Sequence, residues 1–188
     1  MKLSAKAAVA IVLLFVAAVF SIALGSTRNF PIYVIAGENS VATWLSGTLL
    51  TFMAALSVAI GMRSTWNPWT FFFGFFILLA LDERFMFHEN LKERIMFGSP
   101  DVSTWYFELP VILGSVAGLL MSYVLWRQLT HAGRVMLAFG VAFGSASVAI
   151  DIAAGGVIAE ESFKLAAELL IVCALIYQLQ HVPESPSS

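Results

Sequence analysis

Two stretches carry the residues that could do chemistry. Leu79 to Ile95 reads LALDERFMFHENLKERI, an apolar run that closes on Asp82, Glu83, Arg84, His88 and Glu89. Near the other end, Glu160 to Leu170 reads EESFKLAAELL, with Glu160, Glu161, Lys164 and Glu168 inside another apolar run. Asp151 and Glu108 sit close to the ends of two further apolar runs. Carboxylates can serve as proton donors and acceptors or as oxygen ligands, and an imidazole adds a nitrogen ligand.

Helical spacing groups these side chains. At 3.6 residues per turn, Asp82 and Glu89 are seven apart and only about 20° out of register, so they are expected to share a face. Glu161 and Glu168 have the same spacing, with Lys164 between them. Asp151 falls on a stripe with Gly140, Gly144 and Ser147, small residues that let two helices approach closely. Gly114 and Gly118 form a similar stripe one segment earlier.

The elements that would hold these residues are membrane spans. The chain has 188 residues, 60% of them hydrophobic and 12% charged, with a mean hydropathy of +0.87. That balance points to a polytopic membrane protein. A spanning helix needs about 20 mostly apolar residues. Six segments qualify: Ala7–Gly25, Val41–Arg63, Trp69–Glu89, Phe107–Arg127, Arg134–Gly156 and Val157–Gln180. The expected fold is an all-α transmembrane helical bundle forming one membrane domain over residues 1–182, with a disordered polar tail at 183–188. The first segment, behind Lys2 and Lys6, is longer than a signal-peptide core and reads as an uncleaved anchor.

The cations orient the bundle. With both termini cytoplasmic, inner loops carry Lys2, Lys6, Arg63, Arg127 and Arg134, and outer loops carry Arg28, Lys92 and Arg94, a bias in the direction expected for a bacterial inner membrane. The tryptophans at 44, 66, 69, 105 and 126 all fall near span ends. No basic cluster suggests nucleic acid. Cys173, the single cysteine, excludes an intrachain disulfide and a thiolate metal cluster. The lipid bilayer is the implied partner.

In this topology the acids collect near one face. Asp82, Glu83, Glu89, Glu108, Asp151, Glu160, Glu161 and Glu168 face only Arg84 and Lys164 as formal cations. Ionised groups at mid-bilayer cost about 2.5–3.5 kcal/mol each on insertion scales. The surplus needs interfacial water, protonation, or a bound cation.

Three readings follow. In the first, the acids are solvated at the interface or held in ion pairs with Arg84 and Lys164. In the second, a divalent metal ion binds, with Asp82, His88, Glu89, Asp151, Glu161 and Glu168 as ligands and Glu83 and Glu160 as catalytic acid/base groups. Mixed carboxylate–imidazole sets of this kind hold metals in helical bundles. Zinc normally takes more nitrogen, yet iron, manganese, zinc and calcium all stay open. This is the leading expectation: a metal-binding membrane protein, or a metal-dependent enzyme acting on a lipid or other apolar substrate. In the third, the acids relay protons or cations in a transporter, or the chain is an accessory subunit partnered in a membrane complex.

The segments LDERFMFHE and EESFKLAAE resemble the two signatures of a family of small multi-pass bacterial inner-membrane proteins. In that family a Leu-Asp-Glu-x4-His-Glu segment ends one span and a Glu-Glu-x6-Glu segment opens the last. The resemblance covers these two segments closely and the six-span layout loosely. It implies no activity, but it implies that Asp82, Glu83, His88, Glu89, Glu160, Glu161 and Glu168 belong together. Lys164 departs from the apolar or acidic residue expected there, and an ammonium inside the cluster would take over part of a metal's charge.

Overall fold

Apolar runs punctuated by proline, glycine and threonine give helices throughout the described part of the computed structural model. The structure describes residues 41–64, 68–87, 91, 109–153 and 156–182. Among the described residues there are five helices: α1, Val41–Gly61; α2, Trp69–Phe85; α3, Leu109–Gln128; α4, His131–Ile152; and α5, Val157–His181. Pro68 precedes α2, where its missing N–H costs nothing. Thr130 and Gly156 stand in extended conformation ahead of α4 and α5. Among the described residues there is no strand.

Among the described residues, four helices (α1, α3, α4 and α5) are long and apolar enough to cross a membrane, as expected of a membrane protein. Their limits fall within a few residues of the second, fourth, fifth and sixth expected spans. The first expected span, 7–25, lies outside the described residues. The third is cut short. Met86 adopts a left-handed conformation (φ 49°, ψ 47°) and its N–H bonds the Asp82 carbonyl at 2.6 Å, so α2 stops at Phe85 after 17 residues. That is about 25 Å of helix, short of the roughly 30 Å hydrocarbon core. Phe87 and Leu91 are helical again beyond the break. The expected common face of Asp82 and Glu89 reaches past this break, and Glu89 lies outside the described residues.

α5 is the central element. It packs along α4 and against α1; α1 in turn packs on α2, and α3 leans on α4. Met53, Ile60, Phe72, Leu137, Ala174 and Leu175 form the most enclosed part of the core. The α4–α5 contact is made close by the glycine stripe. A Cβ at Gly140 would lie 3.1 Å from Ile171 Cγ1 and 3.2 Å from the Ala167 carbonyl oxygen, while one at Gly144 would make an ordinary 3.7 Å contact. Among the described residues, nothing lies within contact distance of a Cβ at Gly114 or Gly118 of α3. The surface of α3 is apolar and open (Leu113, Leu119, Leu120 and Tyr123 are all more than half exposed), as a lipid-facing helix should be.

Candidate functional site

The polar site is assembled on the first three turns of α5. Glu161, Lys164 and Glu168 recur at helical spacing on the side that faces α1 and α2. Lys164 Nζ donates to Glu161 Oε1 at 2.8 Å and to Glu83 Oε1 of α2 at 2.9 Å. The three side chains are mostly enclosed, with exposures of 26% for Lys164, 17% for Glu83 and 13% for Glu161. α2 and α5 approach each other closely at few backbone positions, and this long-armed bridge ties them. Two carboxylates share one ammonium, and Glu161 Oε2 is buried without a hydrogen-bond partner among the described residues.

Two helical turns beyond Glu161, Glu168 points into the contact between α5 and α1. It is 8% exposed. Ser46 of α1, wholly buried, donates its hydroxyl to Glu168 Oε1 at 2.6 Å. The other oxygen, Oε2, is buried with no hydrogen-bond partner among the described residues. Ser46 behaves unlike most helical hydroxyls of this chain. Thr48, Thr51, Ser57, Ser115 and Ser162 each donate to the carbonyl four residues back in their own helix, the usual local partner. Ser46 crosses to another helix. Sequence reading passed over it because α1 carries several hydroxyls and nothing in the spacing separates this one. Its place on the buried stripe with Ala42, Leu49, Leu50 and Met53 was the available sign.

The remaining expected residues are spread around this pair of contacts. Glu160 is half-buried in the first turn of α5, and its backbone carbonyl accepts a 3.0 Å bond from Ser147 of α4. Asp151 is exposed near the end of α4, within electrostatic reach of Glu160. Asp82 is half-buried beside Glu83. His88, Glu89 and Glu108 lie outside the described residues. Thus α2 contributes Glu83, not Asp82, to the bridge with α5, and Lys164 is a central member of the site.

Among the described residues no three Asp, Glu, His or Cys side chains converge to hold a metal. The position between Glu83 and Glu161, where a cation would bridge them, is filled by the Lys164 ammonium. A metal joining these two carboxylates would have to displace it. Chemically the arrangement can exchange protons and redistribute one ammonium among acids.

Residues 6–179 match the family described as a domain of unknown function (DUF8692). The chain belongs to that family. Comparisons with curated proteins and with solved structures found no match. The family match spans both carboxylate segments and every described helix apart from the last residues of α5, so the bridge and the Ser46–Glu168 contact are features within its domain.

Proposed function

We propose that this chain is a proton-coupled membrane transporter whose working groups are Glu83, Glu161, Lys164 and Glu168. One observation carries the reading: the helix most enclosed by its neighbours turns an ammonium and two carboxylates inward, and the deeper of the two, Glu168, is served by a hydroxyl from a different helix. Polar groups inside a membrane bundle are costly to keep, and function is the default reason for them. The chemistry is simple. Protonation of Glu83 or Glu161 weakens its hold on Lys164 and leaves the ammonium with the other partner. Glu168, below them, receives or supplies the proton. In this reading the chain sits in a bacterial cytoplasmic membrane and crosses it six times, with α2 and the chain beyond Met86 together making the third crossing. Both termini are cytoplasmic and the carboxylate end faces outward. Arg63, Arg127 and Arg134, at the opposite end, fit that orientation.

The test uses the full chain in liposomes loaded with a pH-sensitive dye, with a potassium–valinomycin potential driving protons inward. Wild-type protein is expected to admit protons faster than empty liposomes, and Glu168→Gln and Lys164→Met to lose the excess while keeping their helical circular dichroism. Wild-type flux equal to that of empty liposomes would remove the reading.

The metal-dependent reading keeps one favourable observation, the two free buried oxygens on Glu161 and Glu168. It would add a divalent ion, with iron, manganese, zinc and calcium as candidates, and a lipid or other apolar substrate. Elemental analysis of protein purified without chelator decides it. About one metal per chain, lost in Glu161→Ala, would replace the transporter proposal.

A further inference from the structure

The opposite end of the bundle carries three guanidiniums, and none of them pairs with a carboxylate among the described residues. Arg63, at the end of α1, donates to the Leu179 carbonyl of α5 at 3.4 Å. Arg127, in the last turn of α3, reaches the Tyr123 hydroxyl at 3.3 Å. Arg134, in the first turn of α4, donates through Nε to the Trp126 carbonyl at 3.0 Å. Each uses one donor on a neutral oxygen, and an Arg has five. The sequence supplies no acid locally: no Asp or Glu occurs between Glu38 and Asp82, between Glu108 and Asp151, or between Glu168 and Glu184. His131 and His181 are exposed at the same end.

The α3–α4 corner holds these groups most closely in sequence. Arg127, His131 and Arg134 fall within eight positions. The corner is rigidly placed: the Thr130 N–H donates to Gln178 Oε1 of α5 at 2.9 Å, and Leu125 and Leu129 are buried beneath it. Trp126 and Tyr123 stand beside the cations, partly exposed, where amphipathic rings meet the lipid headgroup layer. A rigid cationic corner at this depth, with no carboxylate paired to it among the described residues, matches a phosphate carried by a lipid, with Arg forks suited to phosphate oxygens.

We propose that Arg127, His131 and Arg134 form a docking surface for the phosphate headgroup of an anionic phospholipid. This stands apart from the transporter reading and survives its failure. The test is native mass spectrometry of the full chain in mild detergent, titrated with phosphatidylglycerol, with phosphatidylcholine, and with inorganic phosphate. Wild-type protein is expected to retain phosphatidylglycerol in preference to phosphatidylcholine. Each Arg removed should weaken that binding roughly fivefold and leave phosphatidylcholine unaffected. Because Arg134 also ties Trp126, Arg127→Gln carries the test alone; it touches only the Tyr123 hydroxyl and should melt as the wild type does. Equal retention of the two lipids, or unchanged phosphatidylglycerol affinity in Arg127→Gln, would overturn the proposal. So would competition by inorganic phosphate as effective as by the lipid, which would make the corner a small-anion site.

Discussion

The two ends of α5 handle charge in opposite ways. At its N-terminal end an ammonium is enclosed between two carboxylates, and a third carboxylate is sunk into the bundle with a serine from α1. At its C-terminal end the neighbouring cations touch carbonyls and a hydroxyl, and their remaining donors face outward. The first arrangement couples helices to one another, so altering one member strands the rest. The second presents charge to the surroundings, so its members can change with little effect on the fold. A closed charge network is therefore the place to look for internal proton or cation chemistry, and an open one for recognition at the membrane surface.

The contrast can be broken most severely at Lys164. Lys164→Met should cost about 3–5 kcal/mol, because two mostly buried carboxylates lose their shared cation. Replacing Glu83, Lys164 and Glu161 together by Gln, Met and Gln should recover much of that loss. Reversible unfolding in mixed micelles reads both, and a loss under about 1 kcal/mol would mark the triad as a solvated surface pair. Next is the α4–α5 contact that holds the closed end in place. Gly140→Leu should cost about 1–3 kcal/mol or more by the same assay, since the Ala167 backbone cannot retreat. Gly114→Leu, on the open face of α3, should be nearly silent.

Ser46→Ala should cost about 1–3 kcal/mol by leaving Glu168 Oε1 without its donor. Ser57→Ala, which removes only a bond to its own helix, should cost clearly less. If the two variants unfold alike, the cross-helix bond contributes no more than a local one. Met86→Gly should stabilise by about 1 kcal/mol, since a left-handed residue with a side chain carries strain that glycine avoids; thermal melting is sufficient to see it. The smallest effect belongs to the open end. Arg127→Gln should stay within about 0.5 kcal/mol in neutral detergent, and a larger loss would erase the distinction between the two ends.

Much of this architecture was legible in the residues. Uninterrupted apolar length required helices, because in lipid every backbone polar group must be satisfied within its own segment. The limits of α1, α3, α4 and α5 follow from that length and from Pro, Gly and Thr at their ends. The Gly140–Gly144–Ser147 stripe was readable as a close-packing face, and its partner proved to be α5. The grouping of Glu161, Lys164 and Glu168 followed from helical period alone. Other features depended on distance and rotation between helices. Whether Asp82 or Glu83 faced α5, whether Lys164 completed the cluster or departed from it, and which of several α1 hydroxyls met Glu168 are all questions of that kind.

The sequence by itself determined that this is a helical membrane protein whose apolar runs carry most of their acids toward one end and Arg63, Arg127 and Arg134 toward the other. Composition and period suffice for that, because both act within single segments. The tertiary structure alone decided that α2 ends at Met86, that Lys164 bridges Glu83 to Glu161, and that Ser46 serves Glu168. Those outcomes depend on how each helix is rotated and how near its neighbours lie, and packing between segments sets both.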